Sequence, residues 1–408
     1  MRLSVIPDAL ETRSRRSQTH SKLATCNSKL ETSSVRIAIV INTSWNIFNF
    51  RMSLVRALQA EGHEVLAIAP PDDYSSRLEA AGCRFIPLPM ANKGTRPDQD
   101  FGLMRRLAAI YRRERPAVVL HYTIKPNIYG TLAAQLAGVP SINNVSGLGT
   151  AFIVQSLVSR VVLALYRLAF RFPATVFFQN PDDRDLFLER RLLKPDIAGL
   201  LPGSGVDTQR FQPAPAQPRG QPFTFLMIAR VLYEKGIVEY FEAALALKTE
   251  YGDRVRCQLL GGLDEQGGIG VPRATFEGWL QGGAVEWLGT SDDVAAVIRG
   301  ADCVVLPSYR EGTPKTLLEA AAMGKPLVTT DVPGCREVVR DGENGYLCPA
   351  RDGAALAAAM RRMAELPTAD LRALGTASRQ LAVTRFDQRL VIAAYLDAIA
   401  RATKPSEE

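Results

Sequence analysis

One stretch in the last third of the chain decides the fold, and it reads Val304-Val305-Leu306-Pro307-Ser308-Tyr309-Arg310-Glu311-Gly312-Thr313-Pro314-Lys315-Thr316-Leu317-Leu318-Glu319-Ala320. An apolar run typical of a buried strand ends at Pro307, and a polar loop follows it. Thr313 is a favourable N-cap residue, and Pro314 is favourable as the first residue of a helix. The stretch therefore predicts a strand, a loop and a helix whose first N–H groups are free to bind an anion.

Three charged side chains surround this predicted anion site. Lys315 lies in the first helical turn, where a cation opposes the helix dipole, so its position is more favourable with a phosphate in front of it. Glu311 precedes the turn, and Glu319 lies on the helix beyond it. A lone glutamate in either place is usually solvated. Two carboxylates on either side of an anion site, however, fit a ligand with hydroxyls on both sides of a diphosphate, which describes a nucleotide sugar.

The length and composition are those of a soluble globular protein with two domains. The chain has 408 residues, of which 47% are hydrophobic and 22% charged, and this length predicts two domains. The net charge of +7 fits an anionic partner such as a nucleotide, a nucleic acid or an acidic membrane surface. We find no apolar run of the roughly 18 residues that a membrane-spanning helix needs.

The cysteine and histidine content argues against a metal centre. The chain has three histidines, and its cysteines form no C-x-x-C pair, which is typical of a reduced, cytoplasmic protein without a metal site. The six cysteines are scattered: Cys26, Cys83, Cys257, Cys303, Cys335 and Cys348.

Two segments are predicted to lie outside the folded domains. Residues 1–34 are rich in Ser, Thr and Arg and have no apolar core, so we interpret them as a disordered basic segment rather than a secretory signal. Residues 211–222 contain four prolines and are predicted to be a linker.

The rest of the chain alternates apolar runs with amphipathic segments, which predicts a parallel α/β architecture. Between the first two strands, residues 42–50 read as a loop without the Gly-x-Gly-x-x-Gly fingerprint, and this argues against a dinucleotide dehydrogenase. The predicted strands are 35–41, 63–69, 84–88, 117–120, 141–145, 174–179, 197–201, 223–228, 255–260, 285–288, 304–307 and 326–330.

Segments after three of the early strands are predicted to line one side of a cleft, because ligands of open α/β sheets bind at the carboxyl ends of the strands. The segments are 42–49, 121–127 and 146–150. Lys125 precedes a proline and has no obvious core role, so it is either a surface lysine or a contact to an acceptor phosphate. His121 is either a structural histidine at the end of a strand or an acceptor contact. The candidate acceptor-binding residues are Asn46, His121, Lys125, Gly147 and Gly149.

Residues 151–173 are strongly apolar but are interrupted by Arg160, Arg167 and Arg171. The spacings of seven and four place these arginines on one face of a helix. The segment is either a core-facing helix or a surface helix whose cations contact anionic lipid head groups.

The glutamates at 311 and 319 resemble the Glu-x7-Glu motif of the retaining glycosyltransferases of family 4. The pair Arg230 and Lys235 resembles the family's Arg-x4-Lys motif, and Gly205-Val206-Asp207 resembles its inter-domain segment. The resemblance covers about residues 35–400, and residues 121–152 resemble a subgroup that transfers N-acetylhexosamines to polyprenyl-diphosphate-linked acceptors. The chain departs from the family in lacking a Gly-rich loop at 42–50 and a histidine near Ser146.

The resemblance implies a GT-B fold, in which two Rossmann-like domains with parallel sheets face each other across a cleft. It implies an acceptor domain at 35–210 and a nucleotide-sugar domain at 223–385. A C-terminal helix within 386–408 is expected to cross back to the first domain, followed by a short tail.

The resemblance also implies the roles of individual residues. Glu311 would bind the transferred sugar, while Arg230 and Lys235 would stabilise the diphosphate leaving group, and these three are the expected catalytic residues. The family reacts with retention and without a metal ion, so we expect a UDP-sugar as co-substrate and no cofactor. The expected donor-binding residues are Ser308, Gly312, Thr313, Lys315, Thr316, Glu319 and Gly205.

A hexosyltransferase at the inner face of the cytoplasmic membrane is thus the favoured interpretation, with a nucleotide sugar, a lipid-linked glycan and the membrane surface as partners. A nucleotide-sugar 2-epimerase of the same fold is an alternative, although only His121 is an obvious acid or base for it. A non-catalytic nucleotide- or glycan-binding module is a second alternative. A nucleic-acid binder ranks last, because the basic residues are not interleaved with aromatic residues.

Overall fold

A computed structural model of the chain describes residues 34–90, 96–148, 157–214, 222–264 and 270–404. The predictions for residues 1–33, for Gly149, for most of the linker at 215–221 and for the tail at 405–408 lie outside the described residues. The chain from Ser34 onward forms one compact unit that contains two parallel sheets.

The first sheet has seven strands in the order β3-β2-β1-β4-β5-β6-β7, and each neighbouring pair is parallel. Its central strands are nearly continuous apolar runs, as expected for a parallel sheet that is covered on both faces. The strands are β1 (Arg36–Val40), β2 (Glu64–Ala69), β3 (Arg84–Pro87), β4 (Val118–Tyr122), β5 (Ser141–Val145), β6 (Thr175–Phe178) and β7 (Ala198–Leu200).

Helices cover both faces of this sheet, and together they form the N-terminal lobe. One face packs against α2, while the other packs against α4 to α7. The helices are α1 (Ser44–Phe50), α2 (Met52–Ala60), α3 (Ser75–Ala80), α4 (Pro97–Glu114), α5 (Thr131–Ala137), α6 (Leu157–Ala169) and α7 (Pro181–Glu189), and a π-helical turn at Pro126–Gly130 leads into α5.

The second sheet has six parallel strands in the order β10-β9-β8-β11-β12-β13. With its helices it forms the C-terminal lobe around one continuous apolar core. The strands are β8 (Phe223–Ile228), β9 (Val255–Leu260), β10 (Val285–Trp287), β11 (Cys303–Leu306), β12 (Leu327–Thr330) and β13 (Gly345–Cys348). The helices are α8 (Ile237–Tyr251), α9 (Arg273–Gln281), α10 (Val294–Arg299), α11 (Lys315–Ala322), α12 (Gly353–Glu365) and α13 (Thr368–Arg385).

The last helix, α14 (Gln388–Thr403), returns to the N-terminal lobe. Its Val391 and Tyr395 are buried in the core of the first sheet, and the Tyr395 hydroxyl accepts a hydrogen bond of 3.0 Å from the Asn144 side chain. A short bridge between Val206 and Asp387 brings the start of this helix next to the crossover between the lobes. The exact domain boundaries remain a prediction.

Two local predictions were wrong. Residues 42–50 contain the helix α1, because the Thr43 hydroxyl caps it by accepting the Asn46 N–H at 3.1 Å. The helix after the Glu311 loop begins at Lys315, with Pro314 rather than Thr313 in the N-cap position. Thr313 is not the cap because its hydroxyl donates across the cleft to the Gln179 carbonyl oxygen, at 2.8 Å.

The strand order reverses between β1 and β4 in the first sheet and between β8 and β11 in the second. Ligands of open α/β sheets bind outside the carboxyl ends of strands at such reversal points. The segments after β8 and β11 carry Arg230, Lys235 and Glu311, so the fold brings these side chains to one edge. Among the described residues, we find no helix that is long and apolar enough to cross a membrane.

Candidate active site

The start of α11 provides free backbone donors at the edge of the second sheet. The amides of Leu317 and Leu318 both donate to the Pro314 carbonyl oxygen, at 3.1 and 3.2 Å. The N–H groups of Lys315 and Thr316 therefore precede the first hydrogen bonds of the helix, where helix geometry leaves them without an intrahelical acceptor. Such a helix start favours an anion.

Glu311, four residues before this helix, forms an ion pair with Lys235, with 2.5 Å between Nζ and Oε1. Their side chains are 15% and 17% exposed, so a ligand in the cleft can still reach them. Gly236 fixes the position of Lys235, because its φ of +73° and its contact with Pro307 exclude a side chain. A Cβ there would lie 2.1 Å from the Pro307 carbonyl oxygen.

Arg230 lies after β8 at the same edge and is the most exposed cation of the site. Its side chain is 62% exposed, and its guanidinium lies 3.3 Å from the Asp264 carboxylate. An exposed pair of this kind is weak, so Arg230 can turn toward an anionic ligand at little cost.

A second pair, Lys315 and Glu319, lies on α11 itself, with 3.6 Å between Nζ and Oε1. Burial raises the pKa of Glu319, and this effect is opposed by the charges of Lys315 and Arg210. Burial lowers the pKa of Lys315 in the same way. The Lys315 ammonium also donates to the Asn49 carbonyl oxygen and lies 4.8 Å from the centre of the Phe50 ring.

Sequence reasoning missed two cations of the N-terminal lobe side, Arg51 and Arg210. Both lower the pKa of Lys315 by charge repulsion, which is weaker than the effect of its burial, so both lie near it. Arg51 is buried, donates to the Ser204 hydroxyl at 3.0 Å and lies 4.2 Å from the centre of the Tyr122 ring. We find no sequence signal for either residue, because more than 100 positions separate them from Lys315.

Two predicted donor-binding residues are used to fix the backbone. Ser308 is fully buried, and its hydroxyl donates to the Glu234 carbonyl oxygen at 3.1 Å. Gly205 has φ +72°, and a Cβ there would lie 2.6 Å from the Cα of Gln388. Both residues therefore shape the backbone beside the donor edge, and neither presents a free side-chain group to a ligand there.

The opposite edge of the cleft contains a cavity of about 230 Å³ between the ends of β1, β4 and β5. Its polar lining includes Asn42 and Ser146, and Tyr166 of α6 closes one side. The predicted residues Lys125 and Gly147 also line it. The cavity adjoins the donor side of the cleft at Gly147, since a Cβ on this residue would lie 3.4 Å from the Gly312 nitrogen.

Lys125 is not free in this cavity. Its ammonium lies 2.8 Å from the carboxylate of Asp100, which also accepts a hydrogen bond of 3.1 Å from the Tyr129 hydroxyl. Asn46 lies on α1 and does not line this cavity, and its buried amide oxygen has no hydrogen-bond partner within the described part of the chain.

The prediction of His121 as an acceptor contact was wrong, and the structure supports the alternative of a structural histidine. It lies within β4 rather than at its end and has no exposed surface, so it does not face the cleft. Its ring is hydrogen-bonded to the Tyr111 hydroxyl at 2.9 Å, and a Cβ on Gly130 would come within 2.6 Å of it. Burial lowers the pKa of His121 to about 3, so it is neutral at physiological pH.

No group of three or more His, Cys, Asp or Glu side chains within the described ranges could hold a metal ion. The five described cysteines, at 83, 257, 303, 335 and 348, are buried free thiols, whose raised pKa values reflect their burial.

Two family profiles match the chain. The profile described as "Glycosyl transferases group 1" matches residues 222–365, and the one described as "Glycosyl transferase 4-like domain" matches residues 49–202. The chain thus belongs to the glycosyltransferases with these two domains, which confirms the resemblance to glycosyltransferase family 4 and its GT-B fold.

Individual relatives agree with this assignment. The chain is 28% identical over 386 residues to an N,N'-diacetylbacillosaminyl-diphospho-undecaprenol alpha-1,3-N-acetylgalactosaminyltransferase of Campylobacter jejuni, an alignment covering 91% of this chain and 100% of that protein. It is 24% identical over 266 residues to a UDP-Gal:alpha-D-GlcNAc-diphosphoundecaprenol alpha-1,3-galactosyltransferase of Escherichia coli, covering 61% of this chain and 67% of that one. The crystal structure of HepE from Anabaena in complex with UDP and glucose superposes with a TM-score of 0.74 and 16% identity, covering 90% of this chain and 100% of that one.

Proposed function

We propose that this glycosyltransferase moves an N-acetylhexosamine or hexose from a UDP-sugar to a polyprenyl-diphosphate-linked glycan in cell-surface polysaccharide synthesis. The observation that carries the proposal is the convergence of Lys235, Glu311 and the start of α11 at one cleft edge. The acceptor class comes from the names of the two bacterial relatives, one of which aligns over its whole length.

The donor is held by two carboxylates and by cations, without a metal ion. Glu319 binds the ribose hydroxyls, and Glu311 binds the transferred sugar. The amides at the start of α11 hold the diphosphate together with Arg230 and Lys235, because an arginine can contact it in a bidentate manner and a lysine acts as a point charge. UDP as the nucleotide follows from the name of the E. coli relative.

Transfer proceeds with retention at the anomeric carbon. The acceptor hydroxyl attacks from the side of the leaving group, and the leaving phosphate accepts the proton of that hydroxyl. This step needs no protein base, and it does not require His121, whose side chain is buried. The cations at the donor edge stabilise the negative charge that develops on the diphosphate.

The acceptor sugar occupies the cavity beside Ser146 and Gly147, which adjoins Gly312. Hydroxyl and amide groups in the lining suit the hydroxyls of a sugar. Lys125 remains our candidate for contact with the acceptor, but the Asp100 carboxylate neutralises its charge until a phosphate competes for it.

A lipid-linked acceptor requires contact with a membrane surface, and α6 offers a face for it. Four apolar side chains on and just after this helix are 40–54% exposed: Val158, Val161, Leu168 and Phe172. The exposed arginines 160, 167 and 171 border them, and the helix contains no acidic residue. An exposed apolar stripe bordered by cations suits an anionic lipid surface at the cytoplasmic face of the membrane.

Nucleotide binding tests the donor part of the proposal. We would follow the thermal unfolding of the purified protein with UDP, GDP, ADP, dTDP and CMP in the presence of EDTA. A nucleotide at 100 times its Kd stabilises the folded state by about 2.7 kcal/mol. We expect UDP alone to give this shift, whereas the absence of a shift with every nucleotide would contradict the proposal.

Vesicle binding tests the membrane part. We expect the wild type to sediment with vesicles that contain phosphatidylglycerol and the Val161→Glu variant to sediment several-fold less. Leu245→Glu is the matched control, because Leu245 is equally exposed, at 54%, but lies on α8 of the other lobe. Equal sedimentation of both variants and the wild type would count against contact through α6.

A further inference from the structure

A set of buried polar contacts, which we call the clasp, joins the two lobes beside the donor site. On the N-terminal lobe it consists of residues 179–183, which follow β6 and begin α7. On the C-terminal lobe it consists of residues 310–313, which include Glu311. The clasp thus touches the loop that carries the proposed sugar-binding carboxylate.

Asn180 makes the central contacts of the clasp. Its side-chain amide donates to the Gly312 carbonyl oxygen at 2.8 Å and to the Glu311 carbonyl oxygen at 3.4 Å. Its side-chain oxygen accepts the Asp183 N–H at 2.8 Å, as the N-cap of α7. A single rigid side chain therefore fixes two consecutive carbonyl groups of the opposite lobe.

Asp183 and Arg310 form the charged part of the clasp. The Asp183 side chain has no exposed surface, and its carboxylate is bound by the guanidinium of Arg310, the residue directly before Glu311. The Nε–H of Arg310 is buried and has no hydrogen-bond partner among the described residues. Burying such a pair gives little net stability, because desolvation offsets most of the attraction, so a gain in fixed geometry is the better explanation.

The surroundings leave the loop no space to adjust. A Cβ on Gly312 would lie 2.2 Å from the Ser146 carbonyl oxygen, and a Cβ on Gly334 would lie 2.5 Å from the Glu311 carbonyl oxygen. The loop is thus held from the N-terminal lobe on one side and from its own lobe on the other. Contact between the lobes and the orientation of Glu311 are therefore linked.

We infer that Asn180 and Asp183 are positioning residues for glycosyl transfer, which hold Glu311 in its working orientation when the lobes are in contact. The inference rests on the proposed function of Glu311. Neither residue touches the substrates in this account. They act through the backbone of residues 310–312, so their loss slows turnover more than it weakens nucleotide binding.

Two conservative variants test the inference. Asp183→Asn removes the charge and keeps the shape, and Asn180→Ser keeps a helix-capping oxygen but removes the amide donor. We expect each to lower kcat about 10- to 100-fold, because a small misplacement of a catalytic group has effects of this size, with the Kd for UDP within about twofold of wild type. Asp185→Asn is the matched control, because Asp185 lies on the same helix outside the clasp and pairs at 2.8 Å with its neighbour Arg184 at the surface, so its loss should leave kcat within about twofold.

The outcomes separate a positioning role from a merely structural one. In a Glu311→Gln background, Asp183→Asn should have almost no further effect on kcat, since it acts through Glu311. Full additivity of the two effects, or a wild-type kcat in Asp183→Asn, would overturn the inference.

Hydrogen exchange tests the positioning role independently of the proposed function, because the measurement needs no substrate. The amides of residues 309–313 should exchange several-fold faster in Asp183→Asn than in the wild type, and no faster in Asp185→Asn. Unchanged exchange in Asp183→Asn contradicts the clasp, whatever the activity. Wild-type protein that transfers no sugar contradicts the proposed function, whatever the exchange.

Discussion

The ammonium of Lys235 lies 2.5 Å from the carboxylate of Glu311, although 76 positions separate the two residues in the sequence. Each belongs to a loop at the carboxyl end of a strand at the reversal point of the second sheet. The pair satisfies both charges in the absence of a ligand. Binding of a UDP-sugar would break this ion pair. Lys235 would then contact the diphosphate, and Glu311 would contact the sugar.

Replacing Lys235 by alanine removes the cation that the account assigns to the leaving diphosphate. We expect Lys235→Ala to lower kcat at least about 100-fold, because the loss of one stabilising contact to a developing charge costs about 3 kcal/mol or more. Arg230→Ala should act in the same direction. Steady-state release of UDP measures both, with Lys248→Ala on the surface of α8 as the control. Near-normal turnover of either variant would refute its phosphate role.

Replacing Glu319 by glutamine tests the nucleotide site separately from the chemistry. Glu319 is buried beside Lys315, and we propose that it accepts hydrogen bonds from the ribose hydroxyls. Glu319→Gln should weaken UDP binding about tenfold, because a hydrogen bond to a charged group contributes about 1.5–3 kcal/mol. Titration calorimetry measures the Kd. An unchanged Kd for UDP would indicate that other residues bind the ribose.

Adding a methyl group to Gly312 tests the close approach of the lobes. Its Cβ would lie 2.2 Å from the Ser146 carbonyl oxygen and 2.8 Å from the Gln179 side chain, so the lobes would have to separate. We expect Gly312→Ala to lose nearly all transfer activity. Gly278→Ala is the control, because Gly278 lies within α9 with nothing within 4 Å of an added Cβ, and this change should stabilise the helix by up to about 1 kcal/mol. Normal activity of Gly312→Ala would show that this approach is not required.

The buried His121 predicts a pH dependence of stability. Its pKa in the folded state is about 3, below the unfolded value of about 6.5, so the unfolded state binds more protons between these pH values. The contribution of His121 to stability is therefore fully present above about pH 6.5 and is lost as the pH drops toward 3, by up to about 1.4 kcal/mol per pH unit.

A comparison of the wild type with His121→Gln separates the effect of His121 on the free energy of unfolding from the effect of the carboxylates. Between pH 6 and pH 5 the wild type should lose about 1 kcal/mol of unfolding free energy more than the variant. Urea unfolding at the two pH values measures the difference. Parallel pH profiles of the two proteins would indicate that His121 is not buried in its neutral form.

The sequence predicts strands best where they are continuous apolar runs between turns. The predicted strands at 141–145, 223–228 and 255–260 agree with the observed ones to the residue. The helices α5, α9 and α13 and the strand β13 were not predicted. Helix α5 contains several alanines, so its sequence shows little periodic alternation between apolar and polar residues. In α13, polar residues are spread around the helix, so its sequence shows no clear apolar face.

At the site, the sequence identifies residues that lie within one motif but not their partners through space. The Glu-x7-Glu spacing indicates Glu311 and Glu319 because both flank one helix start. Asn180 and Asp183 bind this loop from another lobe, so their role depends on a fold that local patterns do not encode. The same limit explains the error at His121, whose burial follows from its neighbours on α4 and β5.

The most direct test of the account is the structure of the lipid product. We would incubate the protein with a UDP-N-acetylhexosamine or UDP-galactose and an undecaprenyl-diphosphate-linked sugar in the presence of EDTA. Mass spectrometry and NMR would then give the added sugar and its anomeric configuration. The account predicts a lipid longer by one sugar in α-linkage, formed without metal. A β-linked product, a strict need for metal, or an epimerised nucleotide sugar with an unchanged lipid would contradict it.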